Sequence, residues 1–425
     1  MASLNPHTSL NFQYMGQDHS IALPSSVPFQ IIENPGQHRA LFTFEKFAER
    51  VTAGASHALL ASQRMLLVMN DAYRLTPTIP ILDWLDRYFN ELGLPPLESR
   101  ADVLVATGTH EVQSENQLRQ ILGNWYAKFQ GRITSHDCRQ NKNLREVGID
   151  TFGKTVSVNK ALYDYSSVVV IGSVEPHYFA GLTGGRKSII PGLADFASVE
   201  RNHNLANQLT ATPLALKGNP VAEHLDEMLG LCKTDHVVSI QAVLDQQDRL
   251  VDCTVGDIRT SFHDAVRTAR EIYECVIDQP VDLMIAHIRE PLNRNLYQAQ
   301  KGLENTQMGV KDHGVVVVIA ECEEGIGSKH FFELAKEWDS VKNMPRDGVL
   351  RFGSHKLSRV ISIARRIGVN LLSSLPNETV SQVFYRPLRS VSVLELLIRE
   401  MERSRDSLRI AYVPNAGHTV VRVRS

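Results

Sequence analysis

Short runs of apolar, largely β-branched residues recur along the chain. Each is followed by a polar or glycine-rich loop and then by a stretch of helical periodicity. Val168-Val-Val-Ile171 is the clearest run, preceded by Met65-Leu-Leu-Val-Met69 and Val103-Leu-Val-Ala106. Runs that are apolar throughout, without alternation, mark strands covered on both faces. Helical spacing extends over 44–62, from about Ile79 to Leu92 where Gly93 stops it, and from Ser114-Glu-Asn-Gln to Gly123. The repetition of strand, loop and helix predicts a mainly parallel, doubly wound sheet. Residues 11–32 alternate instead, and Gly16-Gln-Asp18 between two extended runs predicts a β-hairpin.

Gln279-Pro280 marks a boundary. Beyond it Val281-Asp-Leu-Met-Ile-Ala286, Gly314-Val-Val-Val-Val-Ile-Ala320 and Val369-Asn-Leu-Leu372 read as strands of a second α/β unit, and 394–403 as a helix. Two tail strands, in Leu408-Arg-Ile-Ala-Tyr-Val413 and Thr419-Val-Val-Arg-Val423, are expected to rejoin the first unit. The pattern predicts two Rossmann-like α/β domains, each with a mainly parallel sheet. The first is 1–277 together with the tail of about 405–425, and the second is 278–404.

Composition narrows the class. The chain has 425 residues, 43% hydrophobic and 22% charged, with a net charge of −2. That is a globular balance with no bulk positive charge for nucleic acid or an anionic membrane. No apolar run is long enough to span a bilayer, and Met1-Ala-Ser-Leu-Asn-Pro lacks the basic and apolar regions of a signal peptide. Cys138, Cys232, Cys253, Cys275 and Cys322 are scattered, with no Cys-x-x-Cys pair. The expectation is a cytoplasmic protein with reduced thiols.

Candidate chemistry sits on the loops after the strands. Gly181-Leu-Thr-Gly-Gly-Arg-Lys187-Ser approaches a P-loop, but Arg186 occupies the place of the glycine before the lysine, so the pattern fails. Gly184, Gly185, Arg186 and Lys187 can still converge on an anion. His110 and His177 follow strand ends that share a crevice in a parallel sheet, and His203 comes soon after. Histidine serves proton transfer or metal ligation. No His-x-x-x-His or His-Glu-x-x-His spacing supports a zinc site made by protein alone. Asp71 and Arg74 share one loop, where Arg74 either holds a carboxylate or pairs with Asp71. Tyr297, Gln298 and Lys301 share one edge of a helix, either lining a cleft or forming a solvated face. Ala320-Glu-Cys322-Glu-Glu-Gly325-Ile-Gly327 either lines a cleft or makes a tight turn, and Cys322 has no evident base.

Taken in order, these segments resemble the lactate racemase family from about Phe12 to Val423. The specific pieces are Asp71-x-x-Arg74-x-Thr-Pro, Gly108-Thr-His110, Glu175-Pro-His177-x-Phe-Ala-Gly-x-x-Gly-Gly-Arg-Lys187-x-Ile-x-Pro-Gly, Asn202-His203, Tyr297-Gln298-x-x-Lys301 and Cys322-x-Glu-Gly325-x-Gly. The resemblance implies a racemase or epimerase acting at C2 of a 2-hydroxy acid, with its site in the interdomain cleft. It implies a nickel-pincer nucleotide attached to Lys187 through a thioamide, His203 as a nickel ligand, and His110 and His177 as paired acid–base residues. Arg74, Gln298 and Lys301 would hold the substrate, with Tyr297 nearby. Asp71 matches a site position, and Gly184, Gly185 and Arg186 would receive a nucleotide phosphate. The implied partners are the small-molecule substrate and, transiently, the enzymes that make the cofactor.

Two departures stand out. Glu111-Val112 replaces the Arg-Pro that often follows the first histidine. Arg351-Phe-Gly-Ser-His355-Lys356 has no tryptophan where lactate-specific members close the substrate pocket. The second points to a substrate more polar than lactate. A nicotinamide-dependent 2-hydroxy acid dehydrogenase is the alternative enzyme, and no Gly-x-Gly-x-x-Gly follows a strand to support it. A non-catalytic sensor of an organic acid or nucleotide is the alternative outside catalysis, and binding alone would not need both histidines.

Overall fold

The computed structural model describes residues 9–33, 39–53, 64–208, 210–338 and 354–424, with side chains from Lys356 onward in the last segment. The chain divides into two compact units, one of residues 36–272 and one of residues 1–35 together with 273–425.

In residues 36–272 a six-stranded sheet has the order Leu250–Gly256, Val237–Leu244, Val168–Ser173, Met65–Asn70, Ala101–Ala106, Ile133–Ser135. All neighbours are parallel except the Leu250–Gly256 edge. The uninterrupted apolar run 168–171 is explained by its place near the middle. Val169 and Ile171 enter a core with Phe47 and Phe89, while Val168 and Val170 enter the opposite core with Ile189 and Leu225. Each such side chain, fully buried, contributes about 1.5–3 kcal/mol. Helix Glu115–Leu122 begins where expected because Ser114 and Gln117 form a reciprocal capping box. Helix Thr78–Glu91 matches its expected span. Of the helix expected over 44–62, Phe44–Thr52 is helical and 54–63 lies outside the described residues.

The other unit carries an entirely parallel sheet in the order Arg386–Leu388, Gly368–Leu372, Val310–Ile319, Val281–His287, Ile410–Val413, Phe29–Ile31. Both sheets are therefore mainly parallel, as the pattern predicts. The division differs at both ends. The tail strand Ile410–Val413 pairs with Val281–His287 rather than rejoining residues 36–272, and Val420–Val423 pairs with Glu274–Ile277. Ile410–Val413 is buried throughout and needs neighbours on both edges, which Val281–His287 and Phe29–Ile31 supply. Buried Asp282 fastens the connection by accepting from Arg409 N–H at 2.9 Å, Arg405 Nη1 at 2.8 Å and Lys311 Nζ at 2.9 Å. The expected hairpin is Ser9–Tyr14 with Gln17–Ala22, turning at Met15-Gly16, one residue earlier than the glycine suggested.

Candidate active site

The sheet of residues 36–272 reverses its order of assembly between Met65–Asn70 and Val168–Ser173. From Met65–Asn70 the chain proceeds outward to Ala101–Ala106 and Ile133–Ser135, then returns to place Val168–Ser173 on the other side. Loops leaving the carboxyl ends of three adjacent strands diverge there and enclose a pocket. Asp71, Arg74, His110, His177, Gly184, Lys187 and His203 all line it. Its walls enclose about 100 Å³, smaller than the usual ~300–1,000 Å³ of a small-molecule site, so a group as large as a nucleotide extends beyond it.

Asp71 is 5% exposed, and its Oδ2 lies 2.5 Å from His110 Nδ1. An ionised carboxylate only accepts, so Nδ1 carries the proton and Nε2 is left as an acceptor. Oδ1 of Asp71 takes the Tyr73 N–H at 3.2 Å, and the Tyr73 ring meets His110 edge-on at 4.9 Å. His177 is arranged the opposite way. Its Nδ1 accepts the Ala180 N–H at 3.2 Å, which places the proton of the neutral ring on Nε2. His203, in the last turn of helix Phe196–Asn204, directs Nδ1 to the Val199 carbonyl at 2.9 Å. With the proton on Nδ1, Nε2 is the ring atom that would bind a metal.

The turn carrying His177 depends on Gly181, which pairs with it across a two-residue ladder. Gly181 has φ +78°, and a Cβ there would lie 2.1 Å from the Ala215 carbonyl oxygen. The Gly184-Gly185 pair has a different reason from the one expected. A Cβ on Gly184 would meet Gln241 Oε1 and Val174 Cγ2 at 2.6 Å, and one on Gly185 would meet Phe262 Cβ at 2.6 Å. The glycines let the loop close onto its own scaffold, where the Gly185 N–H donates to Gln241 Oε1 at 2.6 Å. Arg186 turns inward with them. It is 2% exposed, its guanidinium stands 4.7 Å from the Phe262 ring centre, and its Nε lies 3.2 Å from Asp226 Oδ1. Gly184 reaches the pocket lining, whereas Gly185 and Arg186 do not.

Lys187 does reach it. Enclosure by protein holds its amine well below the ordinary lysine range, and the Arg74 and Arg186 charges add to the effect. A neutral amine is a nucleophile; an ammonium is not. Arg74 pairs with Glu175 at 3.7 Å rather than with Asp71. The sequence reading assigned no role to Phe179, which is buried at the centre of the group. Its ring is 4.5 Å from that of His177 and 5.1 Å from that of His203, and Lys187 Nζ lies 5.8 Å from its centre. Its place two residues after His177, between a histidine and a glycine-rich loop, was the available signal.

Tyr297, Gln298 and Lys301 belong to the other unit, on helix Leu296–Thr306. They are the half-exposed residues of a helix otherwise buried from end to end, so the edge read from sequence is real. The Ala320-to-Gly327 segment serves this helix as a turn. The Leu296 and Tyr297 N–H groups donate to the carbonyls of Gly325 and Ile326 at 3.1 and 2.9 Å. Cys322 is buried, and burial raises its thiol to about 12. From the stretch 351–356, Lys356 is buried, and its Nζ donates to the Tyr297 carbonyl at 2.5 Å.

The donor set suits a metal brought by a cofactor. Among the described residues no cluster of three or more His, Cys, Asp or Glu stands close enough to hold an ion alone. The His203 imidazole and a lysine whose amine burial holds well below its ordinary range line the same pocket.

Comparison with known proteins bears on this arrangement. The family model described as lactate racemase N-terminal domain matches residues 43–212, and that described as lactate racemase C-terminal domain matches 277–355. The chain is 26% identical over 377 residues to a lactate racemase of Thermoanaerobacterium thermosaccharolyticum, covering 85% of both chains. It is 24% identical over 296 residues to one from Lactiplantibacillus plantarum, covering 68% of this chain and 64% of the relative. In fold it matches the apoprotein structure of the Thermoanaerobacterium lactate racemase, with a TM-score of 0.80 and 23% identity over 97% of this chain and all of that one. A Thermotoga maritima protein matches with a TM-score of 0.66 and 16% identity, over 91% of this chain and all of that one.

Proposed function

The chain belongs to the lactate racemase family and is thereby an isomerase, and from that premise we propose that it inverts C2 of a 2-hydroxy acid. The observation that carries the reading is the opposed hydrogen bonding of the two histidines that line one pocket with a lysine whose amine burial holds well below its ordinary range.

A 2-hydroxy acid presents its hydroxyl to opposite sides in its two configurations, so two groups must exchange protons with that oxygen. His110 offers a bare Nε2 as the base. On taking the hydroxyl proton it becomes an imidazolium held against Asp71, the same relation that orients a triad histidine. His177 offers Nε2–H to the oxygen on the other side. To deliver a net proton it must first be doubly protonated. Its Nδ1–H then opposes the Ala180 N–H, so that bond opens during this half of the cycle. Arg74 at the pocket wall suits a substrate carboxylate. Lys187 would hold the nickel-pincer nucleotide covalently, and His203 Nε2 would ligate its nickel. When bound, that group supplies the hydride acceptor and donor at C2, by way of a 2-keto acid. The absence of a pocket tryptophan in 351–356 supports a substrate more polar than lactate. Lys356 is taken up by Tyr297 and adds no open charge to that wall.

Intact-protein mass spectrometry with nickel analysis tests the reading, on protein produced beside the cofactor-synthesis enzymes. The expected result is an adduct and nickel in the native chain and neither in Lys187→Ala. An adduct persisting in Lys187→Ala overturns the attachment. A panel of 2-hydroxy acids in which lactate is the best substrate overturns the polarity assignment.

A further inference from the structure

The sheet of the other unit also reverses its order of assembly. From Val281–His287 the chain builds outward through Val310–Ile319, Gly368–Leu372 and Arg386–Leu388, then returns to place Ile410–Val413 on the opposite side. The crevice beyond the carboxyl ends at such a reversal is where doubly wound sheets bind ligands. Here it contains a cavity of about 1000 Å³, ample for a small molecule, lined by none of the residues assigned to the isomerase reaction.

The walls of this cavity are built rather than incidental. Phe12, His287 and Tyr412 are each more than nine-tenths buried. His287 Nδ1 is hydrogen-bonded to the Tyr412 hydroxyl at 2.9 Å, and the Phe12 and His287 rings meet edge-on at 6.0 Å. The His287 ring therefore has one nitrogen committed and Nε2 left toward the cavity with no hydrogen bond among the described residues. Burial holds this imidazole down to about 4, so it is neutral near pH 7 and can accept through Nε2 while Nδ1 donates to Tyr412. Beside it is Glu321, half-buried. Its Oε2 accepts from Asn293 Nδ2 at 2.6 Å, and no cation pairs with it among the described residues. The remaining acidic groups at the cavity, Asp18, Glu33, Glu290 and Glu323, outnumber Arg289 and Arg294. A partly desolvated carboxylate with no counter-ion, a neutral imidazole acceptor and buried aromatic rings together favour a positively charged guest.

We propose that this cavity is a second ligand site that takes a small organic amine as its ammonium ion, with the charged nitrogen between Glu321 and His287 Nε2 and the alkyl part against Phe12 and Tyr412. Its lining shares no residue with the pocket of residues 36–272, and its occupant is chemically unlike a 2-hydroxy acid.

Isothermal titration calorimetry of the full chain with agmatine tests the proposal, with succinate and glycerol as anionic and neutral probes. The expected result is saturable one-to-one binding of agmatine, weakened at least about tenfold by Glu321→Gln and several-fold by Phe12→Leu. Glu91→Gln, an exposed carboxylate of the other unit, leaves it unchanged. No binding at millimolar agmatine, equal binding in Glu321→Gln, or tighter binding of succinate than of agmatine overturns the proposal. Phe12 is also packed in the core of its unit, so thermal unfolding of Phe12→Leu is measured alongside: weakened binding with unaltered unfolding is a lost site, and binding at the native affinity overturns the aromatic contact.

Discussion

Asp71→Asn is the substitution whose consequence follows most closely from the geometry. The two oxygens of Asp71 are both in use, Oδ1 by the Tyr73 N–H and Oδ2 by His110 Nδ1. Asparagine has one oxygen. If it stays with the Tyr73 N–H, the amide NH₂ faces His110 and can only donate. His110 Nδ1 must then accept, its proton moves to Nε2, and the base toward the substrate is gone. A general base contributes about 10²–10⁴ in rate, which corresponds to about 3–5 kcal/mol of barrier. The same error of tautomer at a protease triad costs about 10⁴ in kcat. The expected loss in kcat is therefore about 10²–10⁴, with thermal unfolding little changed because the two side chains have the same shape. Initial rates from each configuration, resolved by chiral chromatography, measure it. The kcat/KM values for the two configurations must fall in the same proportion, since their ratio is fixed by the overall equilibrium. Nitrogen-15 spectra of the His110 ring supply an independent readout, with the proton on Nε2 instead of Nδ1. A variant within about threefold of the native rate, or one that is slow while Nδ1 remains protonated, would refute the reasoning.

Other consequences are equally direct. His203→Ala is expected to retain the Lys187 adduct in intact mass spectra while losing nickel; retention of stoichiometric metal contradicts the ligand assignment. Gly181→Ala forces a Cβ to within 2.1 Å of the Ala215 carbonyl oxygen at φ +78°, and is expected to cost about 2–4 kcal/mol in urea unfolding, with loss of the His177 turn. Burial holds the Lys356 amine well below its usual range, and Lys301 adds to this. The folded chain therefore binds fewer protons there than the unfolded chain below about pH 10, and this lysine costs more stability as pH falls toward neutrality. Lys356→Met should accordingly gain stability relative to native as pH drops below about 10, and a difference independent of pH would contradict the lowered amine.

The sheets were readable from the chain because fully covered strands leave uninterrupted apolar runs, as 168–171 does. The pocket was readable because reactive residue types gather just past those runs. What could not be read depends on contacts far apart in sequence. Asp71 finds His110 thirty-nine residues on, and Arg74 bypasses its neighbour for Glu175. Nothing local distinguishes those outcomes from an Asp71–Arg74 pair. The Gly184-Gly185 pair looked like room for a ligand, but the space belongs to Gln241, Val174 and Phe262, which a sequence does not place. The tail strand Ile410–Val413 is apolar enough for either sheet, and the three-residue Phe29–Ile31 that completes its sheet is too short to signal a strand.

Isotope-resolved chiral analysis of a single turnover product tests the central claim most directly. Protein carrying its cofactor is given one configuration of a 2-hydroxy acid labelled with deuterium at C2. The account predicts the opposite configuration at C2 with the deuterium retained, because the hydrogen leaves and returns as hydride while the histidines exchange protons only with oxygen. Consumption without any inverted product, or inverted product whose C2 hydrogen comes from water, would contradict it.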